Sequence, residues 1–232
     1  MKLLRVLQQD KIVISAQVSE LKNRTSLTNH GDVMTPAMFS FPTSAYVPLG
    51  LAFFGLGTGY LIFGPQEFFN YPEKSPSTDL TNGWWGFWMP GFLQFLCGTY
   101  ILVGITWFHV FHGAPLYAAG IETTVFGVHW FAMGLSRIRG GDIRPNGFMS
   151  VAFFLVALLG LIVFAHVGDT QVAILFVGLC LVYFFEFFYC LNILMPLSKK
   201  ALGLTHIVTG FWLMYLTYAI VLNLAIHAHL PL

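Results

Sequence analysis

Six apolar segments dominate this 232-residue sequence, at residues 48–64, 84–107, 115–135, 148–166, 171–195 and 202–224. Each is close to the roughly 20 residues that an α-helix needs to cross the hydrocarbon core of a bilayer. Backbone polar groups in lipid must be hydrogen-bonded within the chain, so only helices or closed barrels can span it. The sequence therefore predicts an all-α integral membrane protein, built as a six-transmembrane-helix bundle.

Composition agrees with this class and excludes others. Hydrophobic residues make up 56% of the chain and charged residues 9%, against about 25% charged residues in soluble proteins. The net charge of +1 offers no basic surface for nucleic acid. Cys97, Cys180 and Cys190 are odd in number and lie in apolar runs, so they predict no disulfide framework. We expect no cofactor, no bound metal, no nucleic-acid partner and no enzymatic activity.

The spans divide the chain into three parts. Residues 1–46 form an N-terminal tail, either amphipathic at the membrane interface or partly disordered. Residues 47–226 form the transmembrane channel domain, and residues 227–232 form a short C-terminal tail.

Basic residues in the loops at 136–147 and 196–201 favour both termini outside the cell membrane. Basic residues in the tail favour the inside, which leaves the orientation open.

Glycine is unusually frequent in the first span. Gly55 and Gly59 have the four-residue spacing that allows helix backbones to approach closely in lipid. One interpretation is packing alone. The other is that this crowded helix lies centrally and directs Phe53 and Phe54 into a path enclosed by the bundle.

Polar groups within the spans are few. Glu122 and Glu186 are the only acidic residues there, and each is a candidate for proton coupling or for a structural hydrogen bond. Gln94 can lock two helices together or line a pore. The six segments contain no Lys or Arg to pair with an anion, so a carboxylic solute would cross protonated, or as an anion met by hydroxyls, amides and helix N-termini.

Four motifs resemble those of the acetate uptake transporter family, the succinate–acetate permeases. They are PLG-L-x-x-F-G at 48–55, G-x-x-Q-x-x-x-G at 91–98, T-x-x-G-x-x-W at 124–130, and G-x-x-x-x-Y-L followed by V-L-N within 210–223. The resemblance implies a homo-hexamer in the cell membrane. Each six-helix protomer would have its own path for small monocarboxylates or succinate.

The resemblance also implies site residues. A narrow gate of aromatic and aliphatic side chains would map to Phe54, Phe126 and Leu179. The residues that match the family's motifs along the path or its entrance are Pro48, Phe53, Gln94, Thr124, Trp130, Tyr215 and Asn223. The chain departs from the family in two places: Ala45-Tyr46-Val47-Pro48 lacks the amide of the entrance motif, and Phe126 stands where the family has tyrosine.

Other functions remain open at this point. The segment SRIRGGDIRPNGF is similar to the third connection of the sister family of urea and short-amide channels, although the paired tryptophans of their fifth helix are absent here. His109 and His112 are one helical turn apart, a spacing that could hold a metal ion in a membrane metalloenzyme. However, no acidic residue accompanies them at a matching spacing. An accessory subunit of a larger membrane complex is a further alternative.

Overall fold

A computed structural model of the chain describes residues 46–232, with side chains from residue 48 onward. The tail predicted over residues 1–46 lies outside the described residues, apart from the backbone of Tyr46. The helices are α1 (Tyr46–Phe68), α2 (Pro76–Gly86), a π-helical segment (Phe87–Phe92), α3 (Leu93–Thr106), α4 (Ala114–Ile138), α5 (Arg144–His166), α6 (Thr170–Cys190) and α7 (Leu197–Ile226).

The all-α prediction is confirmed for the described part of the chain, which contains no β-strand. Five helical stretches are long and apolar enough to cross a membrane: Pro48–Phe68, Pro76–Thr106, Arg144–His166, Thr170–Cys190 and Leu197–Ile226. The sixth expected span corresponds to α4, which is 25 residues long. Helix α4 carries Glu122, His129 and Arg137, and its most apolar stretch is less hydrophobic than the most apolar stretch of each of the other five.

The second span starts earlier than its apolar run. Ser75 caps α2, its hydroxyl accepting the backbone N–H of Thr78 at 3.2 Å, and Pro76 occupies the first turn. This start signal extends the helix eight residues before the segment predicted from residue 84. Pro90 lies inside the continuous helix at the π-helical segment, where its missing N–H is accommodated by wider turns.

Glycines set the spacing between helices, as predicted for the first span. A Cβ on Gly55 would lie 2.5 Å from the carbonyl oxygen of Met89, and one on Gly59 would lie 2.8 Å from the ring of Pro90. Helix α1 therefore packs with its backbone against the π-helical segment. The same close approach joins α4 to α3, because a Cβ on Gly127 would lie 2.5 Å from the backbone nitrogen of Phe95.

The outer surface of the bundle is apolar. Along α5, Phe148, Leu155 and Ile162 recur every seven residues and are 69%, 60% and 59% exposed. Large apolar side chains exposed along one helical face are expected where a helix faces lipid. This surface agrees with a multi-pass membrane protein.

The connection between α4 and α5 has an ion pair. Asp142 accepts the backbone N–H of Arg144 at 2.9 Å and pairs with its guanidinium. These bonds lower the pKa of Asp142 from 3.8 to about 2. Both side chains lie at the surface, where such a pair contributes little to stability.

Candidate functional site

A cavity of about 580 Å³, here called cavity 1, opens at the end of the bundle where α1, α4 and α6 begin. Its walls are mainly apolar. They come from the first half of α1, the first half of α4, the last turn of α5 and the first half of α6. Among the described residues that line cavity 1, none is Lys or Arg.

Two buried polar side chains line cavity 1 without partners. Glu122 is 1% exposed, and neither of its carboxyl oxygens has a hydrogen-bond partner within residues 46–232. Gln94 is 3% exposed, and its Oε1 also has no partner among these residues. Buried polar groups are normally hydrogen-bonded, so these two are available to a solute or to water in the cavity. Gln94 therefore lies at cavity 1 with an oxygen free to accept a hydrogen bond.

The three predicted gate residues lie in different surroundings. Phe126 and Leu179 are buried and line cavity 1. Phe54 is 43% exposed and does not line the cavity, whereas its neighbour Phe53 does. Consecutive residues on an α-helix point about 100° apart, so only one of the two rings can face the interior. Of these two rings, Phe53 lines cavity 1 and Phe54 does not.

A second cavity, cavity 2, has a volume of about 210 Å³ and lies toward the opposite ends of the same helices. Its lining comes from the end of α1, the end of α4, the start of α5, the end of α6 and the start of α7. It has more ionisable side chains than cavity 1, namely Glu67, Lys74, Asp79, Arg137, Glu186, Tyr189, Cys190 and His206. The two intramembrane acids predicted from sequence are therefore divided, with Glu122 at cavity 1 and Glu186 at cavity 2.

Between the cavities lies a buried layer that we call the aromatic barrier, formed by Tyr60, His129, Trp130 and Tyr183. Each is at most 3% exposed, and none lines either cavity. On α1, α4 and α6 these residues fall between the positions that line cavity 1 and those that line cavity 2. The barrier thus closes the space between the two cavities.

Contacts within the barrier are tight. The rings of Tyr60 and Trp130 lie 5.9 Å apart, and the hydroxyl of Tyr183 lies 3.4 Å from Nδ1 of His129. Phe126, at the inner end of cavity 1, stacks on Tyr183 with ring centroids 5.7 Å apart. The barrier also keeps unpaired polar atoms, because the Tyr60 hydroxyl and Nε2 of His129 have no hydrogen-bond partner within residues 46–232.

The remaining predicted path residues do not line either cavity. The Pro48 carbonyl accepts a hydrogen bond from the Cys97 thiol at 3.0 Å. The Thr124 hydroxyl donates to the carbonyl of Gly120 at 2.7 Å, within its own helix. Trp130 belongs to the aromatic barrier.

Tyr215 and Asn223 hold the C-terminal segment. The Tyr215 hydroxyl donates to the carbonyl of Pro231 at 2.8 Å. The Asn223 side chain makes two bonds to the backbone of Leu230, at 2.8 and 2.7 Å. These bonds anchor the C-terminal segment, and neither side chain lines cavity 1 or cavity 2.

Sequence reasoning missed the buried pair of Glu67 and His206. Oε2 of Glu67 lies 2.6 Å from Nδ1 of His206. Glu67 follows the predicted end of the first span at residue 64, but α1 continues through Pro65 to Phe68. The sequence reveals this pair only if α1 and α7 are known to pack antiparallel, because the acid then lies at the end of one helix and the imidazole near the start of the other.

No three or more His, Cys, Asp and Glu side chains are grouped to hold a metal ion in the region from residue 46 onward. His109 and His112 lie in the connection before α4 and do not form such a group. No protein-family model, no curated protein and no solved structure matches the chain.

Proposed function

We propose that the chain forms a path through the cell membrane for small weak-acid solutes such as acetate or succinate, as a channel or carrier in each protomer of a homo-hexamer. One observation carries this proposal: two cavities share helices α1, α4 and α6 and lie on either side of the aromatic barrier. A gated path in its closed state has this arrangement. The motif resemblance to the acetate uptake transporters supports the solute class.

The chemistry of cavity 1 favours a small solute with little net charge. Helices α1, α4 and α6 begin there, and helix N-termini attract partial negative charge. A full carboxylate would instead lie near Glu122 with no Lys or Arg among the described lining residues to compensate it. We therefore expect the undissociated acid to be the better solute, its hydroxyl donating to the free oxygens of Glu122 or Gln94.

The same features favour a second candidate, a channel for urea or short amides. An amide N–H₂ group can donate to both Glu122 and Gln94 and carries no charge at any physiological pH. This candidate shares the barrier and the cavities, so the two differ only in the solute.

The test measures flux of radiolabelled acetate and urea into liposomes that contain the purified protein, at several fixed pH values. Empty liposomes provide the background for passive permeation. We expect acetate flux above this background, rising as the pH falls because more of the acid is undissociated. Faster urea than acetate flux would favour the second candidate, and no flux of either solute above background would contradict both.

Phe53 and Phe54 supply a matched pair of variants for the gate. Phe53→Ala should widen cavity 1, because the Phe53 ring lines it. We expect this variant to have a higher flux and to admit larger acids. Phe54→Ala should leave selectivity unchanged, because that ring lies at the surface of the protomer. Truncating a well-packed Phe costs about 3–5 kcal/mol, so both variants must first be shown to be folded. If selectivity changed in Phe54→Ala and not in Phe53→Ala, Phe54 would be the gate residue.

The hexamer has a separate test. Mass photometry of the protein in mild detergent should give one species at six times the mass of a protomer. A homogeneous monomer or dimer would contradict the ring without affecting the path within a protomer.

A further inference from the structure

The buried pair of Glu67 and His206 is held where two helices touch most closely. A Cβ on Gly203 would lie 2.5 Å from the backbone nitrogen of Phe68 and 2.8 Å from the carbonyl oxygen of Gly64. The backbones of α1 and α7 are thus in contact beside the pair. The two side chains, 7% and 6% exposed, are fixed at 2.6 Å by this contact.

Glu186 is the unmatched acid of cavity 2. It projects from α6, is 6% exposed and lines the same cavity as Glu67 and His206. No hydrogen bond or ion pair joins its carboxyl to any residue in the 46–232 region. A buried carboxyl without a partner is costly when it is ionised and much less so when it is protonated.

The two cations that line cavity 2 already have partners other than Glu186, although Nη1 of Arg137 has no hydrogen-bond partner among the described residues. The Arg137 guanidinium donates to Oε1 of Gln66 at 2.7 Å, pairs with Asp79 at 3.1 Å and lies 4.2 Å from the ring centre of Phe63. Lys74 also pairs with Asp79, at 3.9 Å. The titratable and charged groups around Glu186 are Glu67, Lys74, Asp79, Arg137, Tyr189, Cys190 and His206 in the cavity, with Tyr60, His129 and Tyr183 on the barrier side.

We propose that Glu186 and the Glu67–His206 pair form a proton-binding site that controls the aromatic barrier. With Glu67 ionised and His206 protonated, the pair is neutral, and a proton on Glu186 makes the whole site neutral. Loss of that proton leaves one uncompensated negative charge in the cavity, which attracts the protonated imidazole of His206 toward Glu186.

The link to the barrier is Tyr60. Its ring lies 4.6 Å from the ring of His206 on one side and 5.9 Å from the ring of Trp130 on the other. A movement of His206 therefore displaces a barrier residue directly. This inference rests on the proposed path for its consequence, but the binding of a proton at Glu186 stands apart from it.

Infrared difference spectroscopy tests proton binding without any solute. Spectra of the purified full-length protein in nanodiscs, taken at acid and alkaline pH, should contain the carbonyl band of a carboxylic acid that disappears on titration. Glu186→Gln should lose the part of this band that comes from Glu186, while any part from Glu122, which is also buried without a partner, should remain. The control Glu73→Gln, at an exposed loop position, should retain it. His206→Gln should add a second band, because Glu67 then loses its partner.

Several results would contradict the proposed proton-binding site. One is a wild-type spectrum without any titrating carboxylic acid band, which needs no variant. Another is an unchanged band in Glu186→Gln protein that is monodisperse and helical. If Glu186→Gln does not fold, Glu186→Asp keeps the carboxyl and should shift the band and its titration midpoint, so an unchanged spectrum again counts against the proposal.

Flux of acetamide into liposomes tests control of the barrier, because the charge of this solute does not change with pH. Wild-type and Glu73→Gln protein should give pH-dependent acetamide flux, and Glu186→Gln should give flux independent of pH. Equal pH dependence in all three would refute the link to the barrier. Absence of both acetate and acetamide flux from wild-type protein, with the infrared band present, would refute the proposed function and leave the proton site intact.

Discussion

Gly127→Ala tests whether backbone contact between α3 and α4 holds the bundle together. The added Cβ would lie 2.5 Å from the backbone nitrogen of Phe95, 2.9 Å from its Cα and 2.8 Å from the carbonyl oxygen of Gly91. Ordinary contacts between such atoms are about 3.5–4.0 Å, so the two helices must separate locally by about 1 Å. No side chain can turn aside, because all three are backbone atoms, two in α3 and one in the π-helical segment.

The expected net effect is a loss of stability. Overpacking of this kind costs about 1–3 kcal/mol, and replacing glycine by alanine in a helix returns up to about 1 kcal/mol. We therefore expect Gly127→Ala to lower the free energy of unfolding by about 1–2 kcal/mol. Gly50→Ala is the matched control, since its Cβ would lie 3.5 Å from Ile220, an ordinary contact. It should be neutral or stabilising by up to about 1 kcal/mol.

The assay is unfolding in detergent micelles by increasing amounts of sodium dodecyl sulfate, followed by tryptophan fluorescence. The prediction is contradicted if Gly127→Ala is as stable as the wild type while Gly50→Ala is destabilised. It is also contradicted if both variants lose the same free energy of unfolding, because the added Cβ would lie at 2.5 Å from its nearest atom in one variant and at 3.5 Å in the other.

Three further predictions concern stability and the chain end. Arg137→Ala should destabilise the bundle by ~3 kcal/mol in the same assay, because it leaves the part-buried Asp79 without its close partner. Asn223→Ala should cost about 1–2 kcal/mol and speed hydrogen exchange at Leu230, whose backbone it binds twice. The ion pair of Asp142 should lose its small contribution only as the pH falls through the window from 3.8 to about 2, because the pKa of Asp142 is lowered in the folded state. Asp142→Asn should remove that dependence of unfolding on pH and leave the structure at neutral pH unchanged.

The apolar runs predicted the long helices, because a membrane span requires a certain length and hydrophobicity, and both can be read from a sequence. The ends of the helices were harder to predict. The start at Pro76 depends on a serine cap and a proline in polar sequence, and the end of α1 lies beyond Pro65, where a break was more natural to expect. The local signals that set these ends are weaker than an apolar run and were outweighed by it.

Some of the residues named from the sequence lie together at cavity 1, namely Phe53, Gln94, Glu122, Phe126 and Leu179. Phe54 was not separable from its neighbour Phe53, because a motif fixes a position along the helix and not its rotation.

The pair of Glu67 and His206 was inaccessible for another reason. Its members are 139 residues apart in the chain. No local pattern states that α1 and α7 pack together. Only the arrangement of helices brings this acid and this imidazole into contact.

The π-helical segment Phe87–Phe92 bears on which changes of chain length this protein can tolerate. Such a segment contains one residue more than an α-helix of the same rise, and the glycines on both sides of it, Gly83 and Gly98, press against α4. Removing one residue inside the segment would restore regular α-helix while keeping both glycines on that face. Removing one residue anywhere else between them would rotate everything beyond it by about 100° and turn one glycine away from α4. A single-codon deletion should therefore be accepted at residues 87–92 and nowhere else between the two glycines.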